Sequence, residues 1–108
     1  MMFEKRNLGE FKLGWVIGNF DPVLLRSKEV EVAIKHFKKG DIEPSHKQLV
    51  AKEITIVISG TIRLGSYIYE TNDVVIIPPG EYADFESLTD CSLLCIKHPS
   101  LPNDKVIE

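Results

Sequence analysis

The stretch from Gly40 to Gly60, GDIEPSHKQLVAKEITIVISG, gathers the side chains able to do chemistry. His46, Gln48 and Glu53 follow one another there at short spacing. An imidazole beside a carboxylate can act as a general base with a partner acid, once a substrate C–H or O–H lies within hydrogen-bond reach. The plainest alternative is a polar cluster inside the fold, satisfied by its own hydrogen bonds or awaiting a ligand. His36 and His98 read as surface or satisfied histidines, and Tyr67, Tyr69 and Tyr82 as packing residues on short strands. The sequence contains no Gly-rich phosphate loop, nucleophile elbow or Cys-x-x-Cys pair.

The elements that must position these groups are almost all extended. Val30, Val32 and Ile34 alternate with polar neighbours, which predicts a half-buried strand running to Phe37. Ile54–Ile58 is dense in β-branched residues, and Ser59-Gly60 turns it into Thr61–Leu64. Gly65-Ser66 suits a two-residue hairpin loop leading to Tyr67–Glu70. After Asn72-Asp73 come the strand Val74–Ile77, the Pro78-Pro79-Gly80 stop and two further strands, Tyr82–Glu86 and Cys91–Lys97. Residues 1–29 are less regular and read as short strands or an arm that covers the barrel or reaches a partner. Residues 99–108 form a proline-punctuated tail expected to run along the surface. Short strands with Gly/Pro turns and no helical period predict an all-β sandwich or barrel, with residues 30–98 as its body.

Composition narrows the function classes. The 108 residues suit one domain with its own core. A formal charge of −3 argues against a nucleic-acid footprint. No apolar run approaches the ~20 residues of a membrane span. MMFEKRNLGEFK lacks the apolar stretch of a signal peptide, so a cytoplasmic location is expected. Cys91 and Cys95 lie on one predicted strand, roughly 13 Å apart at ~3.3 Å per residue, too far for a disulfide.

The spacing from Gly40 resembles the first motif of the cupin superfamily, small double-stranded β-helix (jelly-roll) barrels. Gly40 is followed by five residues, His46, Lys47, Gln48, four residues, Glu53, six residues and Gly60. Gln48 stands where the second histidine of that motif would be. The second motif is matched by Asn72, five residues and Pro78-Pro79-Gly80, with Ala83 in place of its histidine. Asn72 tolerates the left-handed backbone that a glycine would supply.

The resemblance implies an all-β cupin barrel with an N-terminal arm, and a site of three imidazoles and one carboxylate around Fe, Mn, Ni, Cu or Zn. Here the metal set reduces to His46, Gln48 and Glu53, with nothing offered by Ala83. Period-two geometry places Thr55, Val57 and Ser59 inward with Glu53, and Ile54, Ile56 and Ile58 outward. A covered isoleucine face predicts a homodimer. Ala83 and Phe85 are expected inside. A bulge near Gly80 would instead swing Asp84 inward, and Arg63 would hold an anionic group if it faced the site.

Two functions follow from this arrangement. One is a binding module for a small polar molecule (a sugar, nucleotide fragment or organic acid), held in the barrel by His46, Gln48, Glu53, Thr55, Val57, Arg63, Ala83 and Phe85. The other is an enzyme, either a metal-dependent oxygenase or isomerase, or a metal-free sugar isomerase or epimerase. In the metal-free version His46 is the base and Glu53 its partner.

Overall fold

The computed structural model describes residues 2–108. Eleven strands alternate with tight turns: β1 (Trp15–Gly18), β2 (Leu25–Arg26), β3 (Glu31–Phe37), β4 (Ile42–Gln48), β5 (Lys52–Ser59), β6 (Thr61–Leu64), β7 (Tyr67–Glu70), β8 (Val74–Ile77), β9 (Ala83–Ser87), β10 (Cys91–His98) and β11 (Lys105–Ile107). They form a six-stranded sheet, β2-β1-β3-β10-β5-β8, facing a five-stranded sheet, β11-β4-β9-β6-β7. This is a double-stranded β-helix, as the motif spacing implies. Two single-turn 3-10 helices, Leu8–Glu10 and Lys12–Gly14, precede the first strand.

Turn chemistry sets the path of the chain. Asn72 adopts φ +75°, the left-handed conformation expected where a glycine is missing. At Gly60, φ is +94° and a Cβ would collide with the Asp90 carbonyl and the Cys91 side chain. That position therefore requires glycine on two counts. Gly65-Ser66 closes the β6–β7 hairpin, with Leu64 opposite Tyr67.

The core lies between the sheets and is built by alternation. Ala33, Val57, Ile62, Phe85, Leu93 and both cysteines form one buried cluster, and Phe37 packs on Phe85 with ring centroids 4.7 Å apart. Burial pushes the Cys95 thiol up to about 11. Cys91 and Cys95 are free thiols.

The outer face of the larger sheet is apolar across five strands. The pairing register aligns Ile17, Val32, Ile96, Ile54 and Ile76 in one row. Ile34, Leu94, Ile56 and Val74 make the next. Ile58 and Ile76 are 47% and 62% exposed.

Two expectations need correction. Ser59 is exposed rather than inward, because the β10–β5 register shifts at Ser92/Leu93 and breaks the alternation. The tail does more than run along the surface: Lys105–Ile107 pairs with β4 as an edge strand. Of the two readings of the arm, packing on its own barrel is the one observed: β1 lies antiparallel to β3 and β2 parallel to β1. Strand β4, which carries His46 and Gln48, had no strand signal because its alternation is broken by Pro44 and a run of polar residues.

Candidate functional site

β4 delivers His46 and Gln48, β5 delivers Glu53, and β9 delivers Ala83 directly opposite His46. Together with Leu64, Ile77, Lys47 and Glu81 they line a hollow at one end of the barrel. Its volume is only about 20 Å³, enough for one water molecule. The His46 Nδ1–H donates to the Pro44 carbonyl at 3.0 Å. That bond orients the ring and leaves Nε2 with a free lone pair.

Gln48 is the most constrained of the group. It is 5% exposed, and its buried Nε2 has no hydrogen-bond partner. An unsatisfied buried amide costs on the order of 1–3 kcal/mol. Gln48 also lines a second, larger cleft of about 280 Å³, bounded by Glu31, Ala51, Lys97 and the Pro99–Lys105 segment. The cleft's far wall is latched in place by Asp104, whose carboxylate accepts from the Val50 N–H (3.0 Å) and the Ala51 N–H (2.9 Å). The Asp104 carbonyl takes a third amide, that of Leu49, at 2.9 Å. The loop between Gln48 and Glu53 is therefore held by the tail.

The remaining candidates are not at the hollow. Thr55, Val57 and Phe85 do face inward, but they are packed into the core and form no part of its lining. Arg63 faces outward, because its β6 neighbour Ile62 takes the inner position. Its guanidinium grips Asp84 through two hydrogen bonds of 3.0 and 3.1 Å and lies 3.5 Å from Glu86. The same pairing holds Asp84 outward, so no bulge swings it toward the hollow as a replacement carboxylate. The Arg63 hydrogen bonds hold the Asp84 carboxyl below its ordinary range. His36 and His98 are exposed, bonded to Ser92 Oγ and the Glu29 carbonyl.

The donor set does not fit a three-imidazole, one-carboxylate metal site. His46 and Glu53 remain, Gln48 offers a neutral amide and Ala83 a methyl group. Among the described residues no three His, Cys, Asp or Glu side chains are grouped to hold a metal ion.

Residues missed in the sequence lie on the inner face beside this end of the barrel. Trp15 has the Lys97 ammonium 4.9 Å and the Lys35 ammonium 5.2 Å from its ring centroid. Lys35 also lies 3.8 Å from Glu43. The available signal was period two along β10, where Leu93, Cys95 and Lys97 share a face.

No protein-family model matches the sequence, and no curated protein matches it. Solved structures do match in shape. An uncharacterised protein with a double-stranded β-helix domain from Klebsiella pneumoniae subsp. pneumoniae superposes with a TM-score of 0.70 at 18% identity, over 78% of this chain and 74% of its own. A DMSP lyase from Ruegeria pomeroyi gives 0.71 at 16% identity, over 86% of this chain and 49% of its own, so the present chain spans about half of that enzyme. A sugar phosphate isomerase of the cupin superfamily from Silicibacter pomeroyi gives 0.60 at 18% identity, over 65% of this chain and 50% of its own. These likenesses show the fold: the chain is a double-stranded β-helix barrel like those of these proteins. Among the described residues no helix is long and apolar enough to cross a membrane.

Proposed function

We propose that this cupin barrel is a binding module for a small polar molecule, seated in the 280 Å³ cleft against Gln48. The observation that carries the reading is the buried, unpartnered Gln48 amide on the wall shared by cleft and hollow. A half-turn of that amide exchanges its donor and acceptor ends, so it can meet either kind of ligand group. The hollow behind it has room for a water or a ligand's smallest substituent, which moves the body of the ligand out of the barrel axis and into the cleft. A panel of sugars, nucleotide fragments and organic acids, read by thermal shift on wild type and Gln48→Leu, tests this. A ligand at about 100-fold its Kd adds roughly 2.7 kcal/mol, a shift of about 10 °C. A shift that survives intact in Gln48→Leu removes the proposal.

A second reading rests on His46. With Nδ1 committed to the Pro44 carbonyl, Nε2 is set up as a general base for metal-free isomerisation or epimerisation, with Glu53 as the partner acid. Turnover of a panel member that His46→Ala abolishes, while Gln48→Leu only weakens binding, would favour the enzyme.

We also propose that the chain works as a homodimer through the two aliphatic rows on the larger sheet. Five strands of four to eight residues, at ~3.3 Å per residue and ~4.8 Å spacing, give a flat area of roughly 500 Å². The corrugated surface of a sheet exceeds its projection, which brings the face near the ~800 Å² per partner of a stable interface. His36 and Ser92 flank the rows on one side and Lys52 and His98 on the other, giving an apolar centre with polar residues along two edges.

A further inference from the structure

A separate cleft of about 310 Å³ opens beside the first, walled by Trp15, Phe20 and Pro22 and bearing Lys12, Asp21, Glu31 and Lys97. Its acidic groups are already engaged. Asp21 is ion-paired with Arg26, and Glu31, opposite Lys97 in the β10–β3 register, keeps its charge but is turned to the Ser100 Oγ–H, from which it accepts a hydrogen bond at 3.0 Å. Its cations are not. Lys12 and Lys97 make no ion pair among the described residues, and Lys97 rests half-buried on the Trp15 face. Lys35, on the same ring, has Glu43 within 3.8 Å and lies outside the cleft. An ammonium has three N–H donors, and a ring face satisfies one of them. Lys97 thus keeps donors free beside two aromatic walls, in a cleft at the small end of the range for ligand pockets.

We infer that this cleft takes a small carboxylic acid with an apolar body, its carboxylate meeting Lys97 and its body lying along Trp15 and Phe20. The charge-assisted bond supplies orientation, and the aromatic walls supply most of the contact area. Lys97 has Glu31 and Glu53 as cross-strand neighbours yet ion-pairs with neither among the described residues, so the acid's carboxylate supplies its ion pair.

Trp15 is the only tryptophan and walls this cleft, so its fluorescence reports on binding there. Purified wild type is titrated with benzoate and with hexanoate, and with benzamide as the neutral counterpart of benzoate. The expected result is a saturable change with at least one acid and a response at least about ten-fold weaker with benzamide. Lys97→Met should weaken acid binding by a similar factor, while Lys97→Arg keeps it within a few-fold. Lys12→Met, at an exposed position that cannot upset the core, should weaken it less. Equal binding of benzoate and benzamide, undiminished binding by Lys97→Met, or no saturable response to either acid overturns the inference. The two clefts share Glu31 and Lys97, so Gln48→Leu separates them: it should leave the Trp15 response to the acids unchanged, and the ligand screen at Gln48 is then read with sugars and nucleotide fragments alone.

Discussion

Lys97 stands opposite Glu53 in the β10–β5 register, yet its ammonium lies over the Trp15 ring, 4.9 Å from the centroid, instead of pairing with that carboxylate. The two charges that a sheet would ordinarily couple across strands are thereby divided between two places. Glu53 stays with His46 and Gln48 at the hollow, and Lys97 serves the clefts outside it. One end of the barrel presents two chemically different surfaces.

Gln48→Leu should leave the unliganded fold as stable as wild type or up to about 1 kcal/mol more stable, because it removes an unsatisfied amide without opening a void. Urea midpoints of the two proteins check this. A loss of more than about 1 kcal/mol would show that the amide is satisfied in solution by a tightly held water.

Gln48→His places a second imidazole two residues from His46. Elemental analysis after exposure to Ni or Zn should show metal retained by this variant above the wild-type level, and lost again in Gln48→His with Glu53→Ala. No gain would mean that the hollow no longer holds these side chains in ligand geometry.

Val74→Glu with Ile76→Glu puts two charges on the exposed aliphatic rows. Wild type should elute at twice its 12.2 kDa mass at micromolar concentration, and the double variant at the monomer mass with an unchanged β-type circular dichroism spectrum. A monomeric wild type would end the dimer proposal.

The Arg63–Asp84 pair sets the sign of an acid-side effect. Arg63's hydrogen bonds, then its charge, hold the Asp84 carboxyl below its ordinary 3.8. A carboxylate depressed in the folded state contributes stability that is complete above its unfolded value and lost as pH falls through the folded one. The contribution should be small, because both groups are partly solvated. Arg63→Met should therefore narrow the difference between wild-type unfolding midpoints measured above and below pH 3.8. An unchanged difference would mean that the pair is not formed in solution.

The barrel was legible because its signals are local. Thr61–Leu64, Tyr67–Glu70 and Val74–Ile77 begin and end where turn residues say they should, and the Gly40-to-Gly60 spacing fixes which strands bring His46 and Glu53 together. What was not legible depends on partners far apart in sequence. β4 reads as a loop until β9 and β11 pair with it. Arg63 reads as a candidate until Ile62 claims the inner position and Asp84 and Glu86 offer an outer one. Thr55, Val57 and Phe85 point inward as alternation requires, but whether an inward residue lines a space or fills it is decided by the opposing sheet. Period two places Lys97 on the inner face of β10, but its meeting with Trp15 joins positions far apart in sequence, which spacing along either strand does not show.

Asp104 fastens Leu49, Val50 and Ala51, three consecutive residues immediately after Gln48. The final stretch of the polypeptide is therefore a keystone for the binding wall, although it contributes little to the core. A purification handle fused to that end would tug on the wall it supports, and a chain cut before residue 104 would leave three amides reaching for nothing. Handles belong at the opposite terminus, and a shortened protein that still folds should be expected to bind badly.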